Sequence, residues 1–308
     1  MKQIYELHFA PLQGCTDYIF RNAFDKYFGN INAYYTPFIR IEKGDFRRKD
    51  MRDIDRKLNT VSGLVPQILP GSSDELKQMS AMLLDKGYSR ADVNMGCPFP
   101  LVAGKKKGSG MLPYPGLVKE VLHTIVEFPE VSFSVKMRLG WSDPTECLKL
   151  VDILNDLPLR HIMLHPRTGK QQYKGETDRV IFSEFLNKIK HPVIYNGDLK
   201  SVEDMNSVLK EYPNLKGLAL GRGLIANPFL VQDFMGIEEE NKNALLFNFH
   251  QEIFSQYESI LQGETQLLMR MKSIWEYFLP FTDHKLLKQI KKANKISRYK
   301  ETINQIFH

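Results

Sequence analysis

The chain has 308 residues, 43% hydrophobic and 25% charged, the proportions of an ordinary globular protein with room for one large domain and a small one. No run approaches the ~18 apolar residues that span a bilayer, and residues 1–6 lead straight into strand-like sequence without a signal-peptide stretch, so a cytoplasmic protein is expected. The formal charge of +6 is clustered: Lys285, Lys288, Lys291, Lys292, Lys295, Arg298 and Lys300 succeed one another with no acidic residue between them.

In chain order, strand-like runs occupy residues 4–11, 33–39, 65–69, 91–98, 133–140, 161–168, 192–198 and 217–223. Helical patterns lie between them at 17–28, 73–86, 115–126, 143–155, 178–189 and 201–211. Asp143-Pro144 and Ser201 are N-cap signals. Residues 42–62 are charged and fit neither pattern. Strands alternating with helices in this way predict a (β/α)8 TIM barrel over residues 1–236. A doubly wound open sheet is the competing fold, with the same placement of chemistry at strand ends. Residues 238–241 read as a linker, and helical stretches at 242–261, 265–279 and 283–299 predict a small all-α domain over 237–308. In the last stretch, Lys288, Lys291, Lys295 and Arg298 follow helical spacing beside an apolar stripe.

In a barrel the residues closing each strand meet at one mouth. Here those ends are polar. They include Gln13, Gln67, Asn94, Cys97, Lys136, Arg138, His165, Arg167, Asn196, Asp198 and Arg222. Gly197 after the seventh strand and Gly221 and Gly223 after the eighth suggest a phosphate site, made of backbone N–H groups, helix dipoles and Arg222. Tight βα turns alone would also use these glycines. A buried Lys136 could form a Schiff base or stand as a cation beside an electron-rich cofactor. Cys97 could be a nucleophile or, if it keeps its proton, a general acid. Cys15 and Cys147 lack such a setting, and the cysteine and histidine spacings fit no metal site or disulfide framework. The run 105–110, with three lysines and two glycines, could reach over the mouth as a lid.

Taken in order, several motifs resemble the tRNA-dihydrouridine synthase family. They are Ala10-Pro11-Leu12-Gln13-Gly14-Cys15-Thr16-Asp17, Val65-Pro66-Gln67-Ile68, Asn94-Met95-Gly96-Cys97-Pro98, Val135-Lys136-Met137-Arg138, His165-Pro166-Arg167-Thr168, Asn196-Gly197-Asp198 and Gly221-Arg222-Gly223. The C-terminal part resembles the bacterial C-type subgroup. Leu12, Gln13 and Pro166 depart from the Met, acidic residue and Gly usual at those positions.

The resemblance implies an FMN-dependent, monomeric enzyme that takes electrons from NADPH and reduces the C5–C6 double bond of a uridine in tRNA. Pro11, Leu12 and Gln13 would border the flavin, Gln67 would bond its polar edge, and Lys136 and His165 would stand near it. Asn196, Gly197, Asp198, Gly221 and Arg222 would hold the phosphate. Asn94 and Arg167 would contact the substrate, and Cys97 would protonate C5. Arg270 and Lys272, near Trp275, together with Lys288, Lys291 and Lys295, would grip tRNA phosphates. Three other readings compete: an FMN oxidoreductase of free small molecules, a non-catalytic RNA-binding barrel, and a Schiff-base aldolase using Lys136.

Overall fold

Pro66 divides the third expected strand in two, and the division closes the barrel. In the computed structural model, which describes residues 5–280 and 282–307, the barrel strands are β1 (Glu6–Phe9), β2 (Ala33–Tyr35), β3 (Leu64–Val65), β4 (Gln67–Ile68), β5 (Arg90–Met95), β6 (Ser132–Gly140), β7 (Ile162–Thr168), β8 (Val193–Asn196) and β9 (Gly217–Leu220). Ile4, at the start of the first expected strand, lies outside the described residues. Proline has no N–H to give a ladder. Accordingly β3 pairs with β2 on one side of Pro66, and β4 pairs with β5 on the other. Backbone bonds from Thr36 N to Val65 O and from Asp92 N to Pro66 O carry the pairing past the break. β1 pairs with both β2 and β9, and every pairing in this sheet is parallel. Since β3 and β4 share one position, the result is the expected eight-position TIM barrel.

Most of the outer helices begin where short polar side chains satisfy the first free N–H groups; Pro115–His123 begins without one. Asp17 caps α1 (Tyr18–Tyr27), and Ser72, Asp178 and Ser201 cap the helices Ser73–Asp85, Arg179–Lys188 and Val202–Glu211. The expected helix at 143–155 starts as a tight 3-10 segment, Pro144–Leu150, under an Asp143–Glu146 capping box, and becomes α-helical at Val151–Asn155. Residues 42–62 form part of a two-stranded ribbon, Ile41–Glu42 against Asp45–Phe46, and a short helix, Arg48–Asp53.

The C-terminal region has four helices where three were expected: α2 (Lys242–Ile260), α3 (Gly263–Trp275), α4 (His284–Lys292) and α5 (Ile296–Phe307). Ala293 leaves helical geometry, with φ −58° and ψ 123°. The bend lets Ile290 on one side and Tyr299, Ile303 and Phe307 on the other reach the same core. A straight helix would carry one of these faces past it. The continuous basic stripe is therefore broken: Lys288 and Lys291 lie on α4, Lys295 in the turn and Arg298 on α5.

This region is welded to the barrel. Phe249 of α2 meets Phe20, Phe24 and Phe28 at ring-centroid distances of 5.5, 6.4 and 5.1 Å. Asp17 accepts from Tyr257 Oη at 2.6 Å and pairs with Arg270 Nη2 at 2.7 Å. Arg270 also donates to the carbonyls of Gly14 and Cys15. A guanidinium so placed serves the joint between helices and barrel. Arg270 is not free for tRNA phosphates, contrary to the expectation. Trp275 is likewise internal, donating from Nε1 to Tyr299 Oη at 2.8 Å.

Candidate active site

Strand register decides which polar side chains meet at the mouth. Gln67 pairs with Asp92, Asn94 with Lys136, and Arg138 with His165, each one step further around the barrel. They open on a cavity of about 940 Å³. Its walls include Pro11, Leu12, Gln13, Gln67, Asn94, Cys97, Lys136, His165, Asn196, Gly197, Asp198, Gly221 and Arg222. Residues from seven of the eight strand positions, on the strands or in the loops that follow them, are thus brought together.

Cys97 follows β5 on a loop held from both sides. Asn94 Oδ1 accepts from the backbone N–H groups of Gly96 (3.0 Å) and Cys97 (2.9 Å). Asn94 Nδ2 donates to Gln67 Oε1 at 2.7 Å. Gln67 Nε2 donates to Asp92 Oδ2 at 2.7 Å, and Ser134 Oγ to Asp92 Oδ1 at 2.6 Å. On the other side, Ser109 donates to the Cys97 carbonyl from N (3.1 Å) and Oγ (2.8 Å). Gly108, at φ +57°, passes so near that a Cβ would lie 2.9 Å from the Cys97 Cβ. The run 105–110 is therefore a support beneath Cys97 and not a lid. Lys107 points away and pairs with Glu75 at 2.6 Å.

Burial sets the charges. It pushes the Cys97 thiol up, against the pull of nearby cations, so the thiol keeps its proton at neutral pH. It pushes Lys136 down to about 8, an effect that Arg138 deepens and Asp92 opposes. Burial also lifts the Asp92 carboxyl to about 6, with the Ser134 and Gln67 hydrogen bonds holding it there, so the group is ionised at neutral pH. His165 is held far below its ordinary range by burial and by the cations Arg138, Lys136 and Arg167, and is neutral.

Arg167 does not face the cavity. It is 1% exposed and donates to Gly175 O and Asp198 Oδ2. Its Nη1 lies 3.2 Å from His165 Nε2. A guanidinium can only donate, so Nε2 accepts and the ring proton of His165 sits on Nδ1. Arg167 orients His165, and this buried role replaces the expected contact with substrate.

Gly197, at φ +149°, lets the chain turn where a Cβ would come 3.0 Å from the His165 ring. Asp198 is drawn towards Arg167 and lies 3.6 Å from Arg222, so its charge is paired. The helix after β9, Arg222–Ala226, has five residues. Lys288, Lys291 and Lys295 are exposed, and none of them or Lys272 lines the cavity.

Several lining residues escaped the sequence reading. Tyr173 lies under the Arg222 guanidinium, 3.9 Å from its ring centroid, with Arg138 at 5.5 Å. Arg40, with Arg47 and Lys49 from the segment that fits neither pattern, also lines the cavity, as do Glu276, Tyr277 and Pro280 from the helical region. The basic excess of residues 40–52 was the one local signal for Arg40, Arg47 and Lys49. Asp92, a carboxylate inside an apolar strand run, was another signal that went unread.

The sequence profile described as Dihydrouridine synthase (Dus) matches residues 8–308. The chain belongs to the dihydrouridine synthase family. Among curated relatives of this family, tRNA-dihydrouridine synthase B of Pasteurella multocida is 28% identical over 77% of this chain and 70% of its own length. The protein of the same name from Shewanella oneidensis is 26% identical over 85% and 80%. A probable tRNA-dihydrouridine synthase 1 of Synechocystis is 30% identical over 72% and 62%. The first two carry B-type names, not the C-type that the C-terminal part suggested. Among solved structures, a variant of morphinone reductase in complex with tetrahydroNAD superposes with a TM-score of 0.54 at 11% identity, over 78% of this chain and 89% of that one. The old yellow enzyme of Trypanosoma cruzi does so with 0.54 at 11%, over 76% and 89%. Both likenesses concern the barrel fold. Among the described residues no group of three or more His, Cys, Asp or Glu side chains is placed to hold a metal ion, and no helix is long and apolar enough to cross a membrane.

Proposed function

We propose that this family member is an FMN-dependent tRNA-dihydrouridine synthase that takes its electrons from NADPH. The observation that carries the reading is a protonated thiol, Cys97, on the wall of the same cavity as the buried cation Lys136, the neutral His165 and the glycine turns after β8 and β9. Those residues suit a flavin mononucleotide. The turn at Gly197–Asp198 and the open space beside Gly221 leave backbone room for a phosphate, with Arg222 to add charge. Lys136 can balance negative charge at the ring, and His165 offers an N–H donor. Pro11, Leu12 and Gln13 give the cavity a wall from the loop after β1.

When bound, the reduced flavin supplies hydride to C6 of the uracil. The chain's own part is to hold the base and provide the proton. Asn94 has both lone pairs of Oδ1 committed to backbone N–H groups and keeps one free N–H. It can therefore only donate to the substrate, which suits a uracil carbonyl. Negative charge that develops towards C5 draws the Cys97 proton to that carbon, and the thiolate left behind regains a proton from solvent. A uridine in folded tRNA must leave its stack to enter a barrel mouth. Lys49 beside the cavity, with the exposed Lys288, Lys291 and Lys295, supplies phosphate contacts for holding it there.

The test is purified protein titrated with FMN, then supplied with NADPH and either unmodified tRNA or free uridine. Flavin uptake and dihydrouridine in tRNA alone are expected. Failure to take up flavin would overturn the reading, and equal turnover of free uridine would favour a small-molecule reductase.

A further inference from the structure

We propose that Asp92 is a positioning residue: its carboxylate sets the donor–acceptor direction of the buried chain Asp92–Gln67–Asn94 and thereby fixes the backbone that carries Cys97. The inference rests on the proposed function only in taking Cys97 as the working group of the site.

The argument is one of hydrogen-bond polarity. An ionised carboxylate can only accept. Gln67 is 0% exposed and 2.7 Å from Asp92, so it must turn Nε2 towards that carboxylate. Its Oε1 then faces Asn94, which must answer with Nδ2. That commitment leaves Asn94 Oδ1 as the acceptor for the N–H groups of Gly96 and Cys97. O and N of an amide exchange places with a simple flip, so each amide takes its direction from its partners: the charge of Asp92 turns Gln67, and Asn94 is held between Gln67 Oε1 and the N–H groups of Gly96 and Cys97. If Gln67 flipped, Asn94 would have to flip with it and would set its NH2 group against two backbone donors.

The chain can be rewritten without changing its direction. In Asp92→Asn the new amide can turn its oxygen to Gln67 and its NH2 to Ser134, or its NH2 to Gln67 and its oxygen to Ser134, so Gln67 loses its fixed direction. In the double variant Asp92→Asn, Gln67→Glu the charge moves one residue along. The amide at position 92 accepts from Ser134 and donates to the carboxylate at position 67, which still accepts from Asn94 Nδ2. Every bond towards Cys97 is restored with side chains of unchanged size.

The experiment follows two rates in the full chain as purified: amide hydrogen exchange in the segment holding Gly96 and Cys97, and alkylation of Cys97 by iodoacetamide. Cys15 and Cys147 are buried and serve as internal controls. In Asp92→Asn both rates should rise about tenfold, the factor corresponding to ~1.4 kcal/mol. In the double variant they should return to wild type. Ser134→Ala removes a donor without changing direction and should stay within about twofold of wild type, well below one hydrogen bond's worth of opening. The proposal fails if Asp92→Asn leaves both rates at wild type, if the double variant stays as fast as Asp92→Asn, or if Ser134→Ala rises as much as Asp92→Asn. Should Asp92→Asn not fold, the double variant decides alone: it folds with wild-type rates or the proposal is wrong. Neither readout needs turnover of tRNA, so a failed activity assay would sink the proposed function and leave this test standing.

Discussion

Both ends of this barrel are polar, but their polar groups are used differently. At the closed end His8 Nε2 donates to Glu6 at 2.9 Å, so His8 Nδ1 is the acceptor for the Tyr35 hydroxyl at 3.0 Å. Tyr35 Oη in turn accepts from His161 Nε2 at 2.9 Å. Burial holds both imidazoles neutral, His161 at about 3. The groups answer one another around a cavity of about 190 Å³. At the open end the hydrogen bonds of Asp92, Gln67, Asn94, Ser109 and Arg167 are spent on holding other groups in place, and a thiol, an ammonium and an imidazole are left lining about 940 Å³. A layer of Ala10, Ala33, Val65, Met163, Ile194 and Ala219, with the Tyr35 ring, separates the two ends. A cluster of ionisable residues in a barrel marks a site when its members are held by others and turned to space, not when they are bonded chiefly to each other.

The comparison can be broken at either end. The largest effect on stability should come from Arg270→Ala at the open end. It leaves the half-buried Asp17 without its counter-charge and frees the loop carrying Pro11, Leu12 and Gln13, at a cost of ~2–3 kcal/mol. Thermal denaturation should show the loss and FMN uptake should weaken with it. An Arg270→Ala protein of wild-type stability would mean that the joint is not held by this ion pair. At the closed end, Tyr35→Phe strands one nitrogen on each of two buried histidines. It should cost ~1–3 kcal/mol and leave turnover unchanged, and a matching fall in kcat would erase the distinction between the ends.

The pH dependence of stability sharpens the same point. His161 and His250 are both held at about 3 by burial and bind a proton at ordinary pH only when the chain unfolds. Their contribution is complete above about pH 6.5 and is lost as pH falls towards 3, by roughly 1 kcal/mol per pH unit for each. Denaturant midpoints that stay flat from pH 6.5 to 4.5 would contradict the neutral, buried assignment. The smallest effect belongs to the exposed surface. Replacing Lys288, Lys291 and Lys295 with Gln should weaken tRNA binding and reduce the salt slope by up to about 3, one per phosphate contact, with NADPH oxidation intact. An unchanged slope would move the RNA contact away from this stripe, towards Lys49 beside the cavity.

The barrel was legible because strand runs alternate with helical patterns, and five of the six expected barrel helices start at a capping residue. Even the break at Pro66 follows from its missing N–H. The mouth was legible as a set of strand ends, and Cys97, Lys136 and His165 do meet there. Sequence could not say which strand-end side chains face the cavity and which serve their neighbours. Arg167 and Arg270 look like free cations until their partners, Asp198 and Asp17, arrive from elsewhere in the chain. The bend at Ala293 was hidden because residues 283–299 keep helical spacing throughout, and only the shared core at Tyr299 and Ile303 demands a turn. The supporting role of Gly108 and Ser109 depends on a close approach to Cys97 that no periodicity reports.

The most direct test of the account is Cys97→Ala assayed with FMN, NADPH and unmodified tRNA. A thiol that is the proton donor predicts wild-type flavin uptake and NADPH oxidation, with dihydrouridine formation lowered by about 10²–10⁴-fold, the usual contribution of a positioned acid. Dihydrouridine at the wild-type rate in that variant would contradict the assignment of the open end as the place where Cys97 does chemistry.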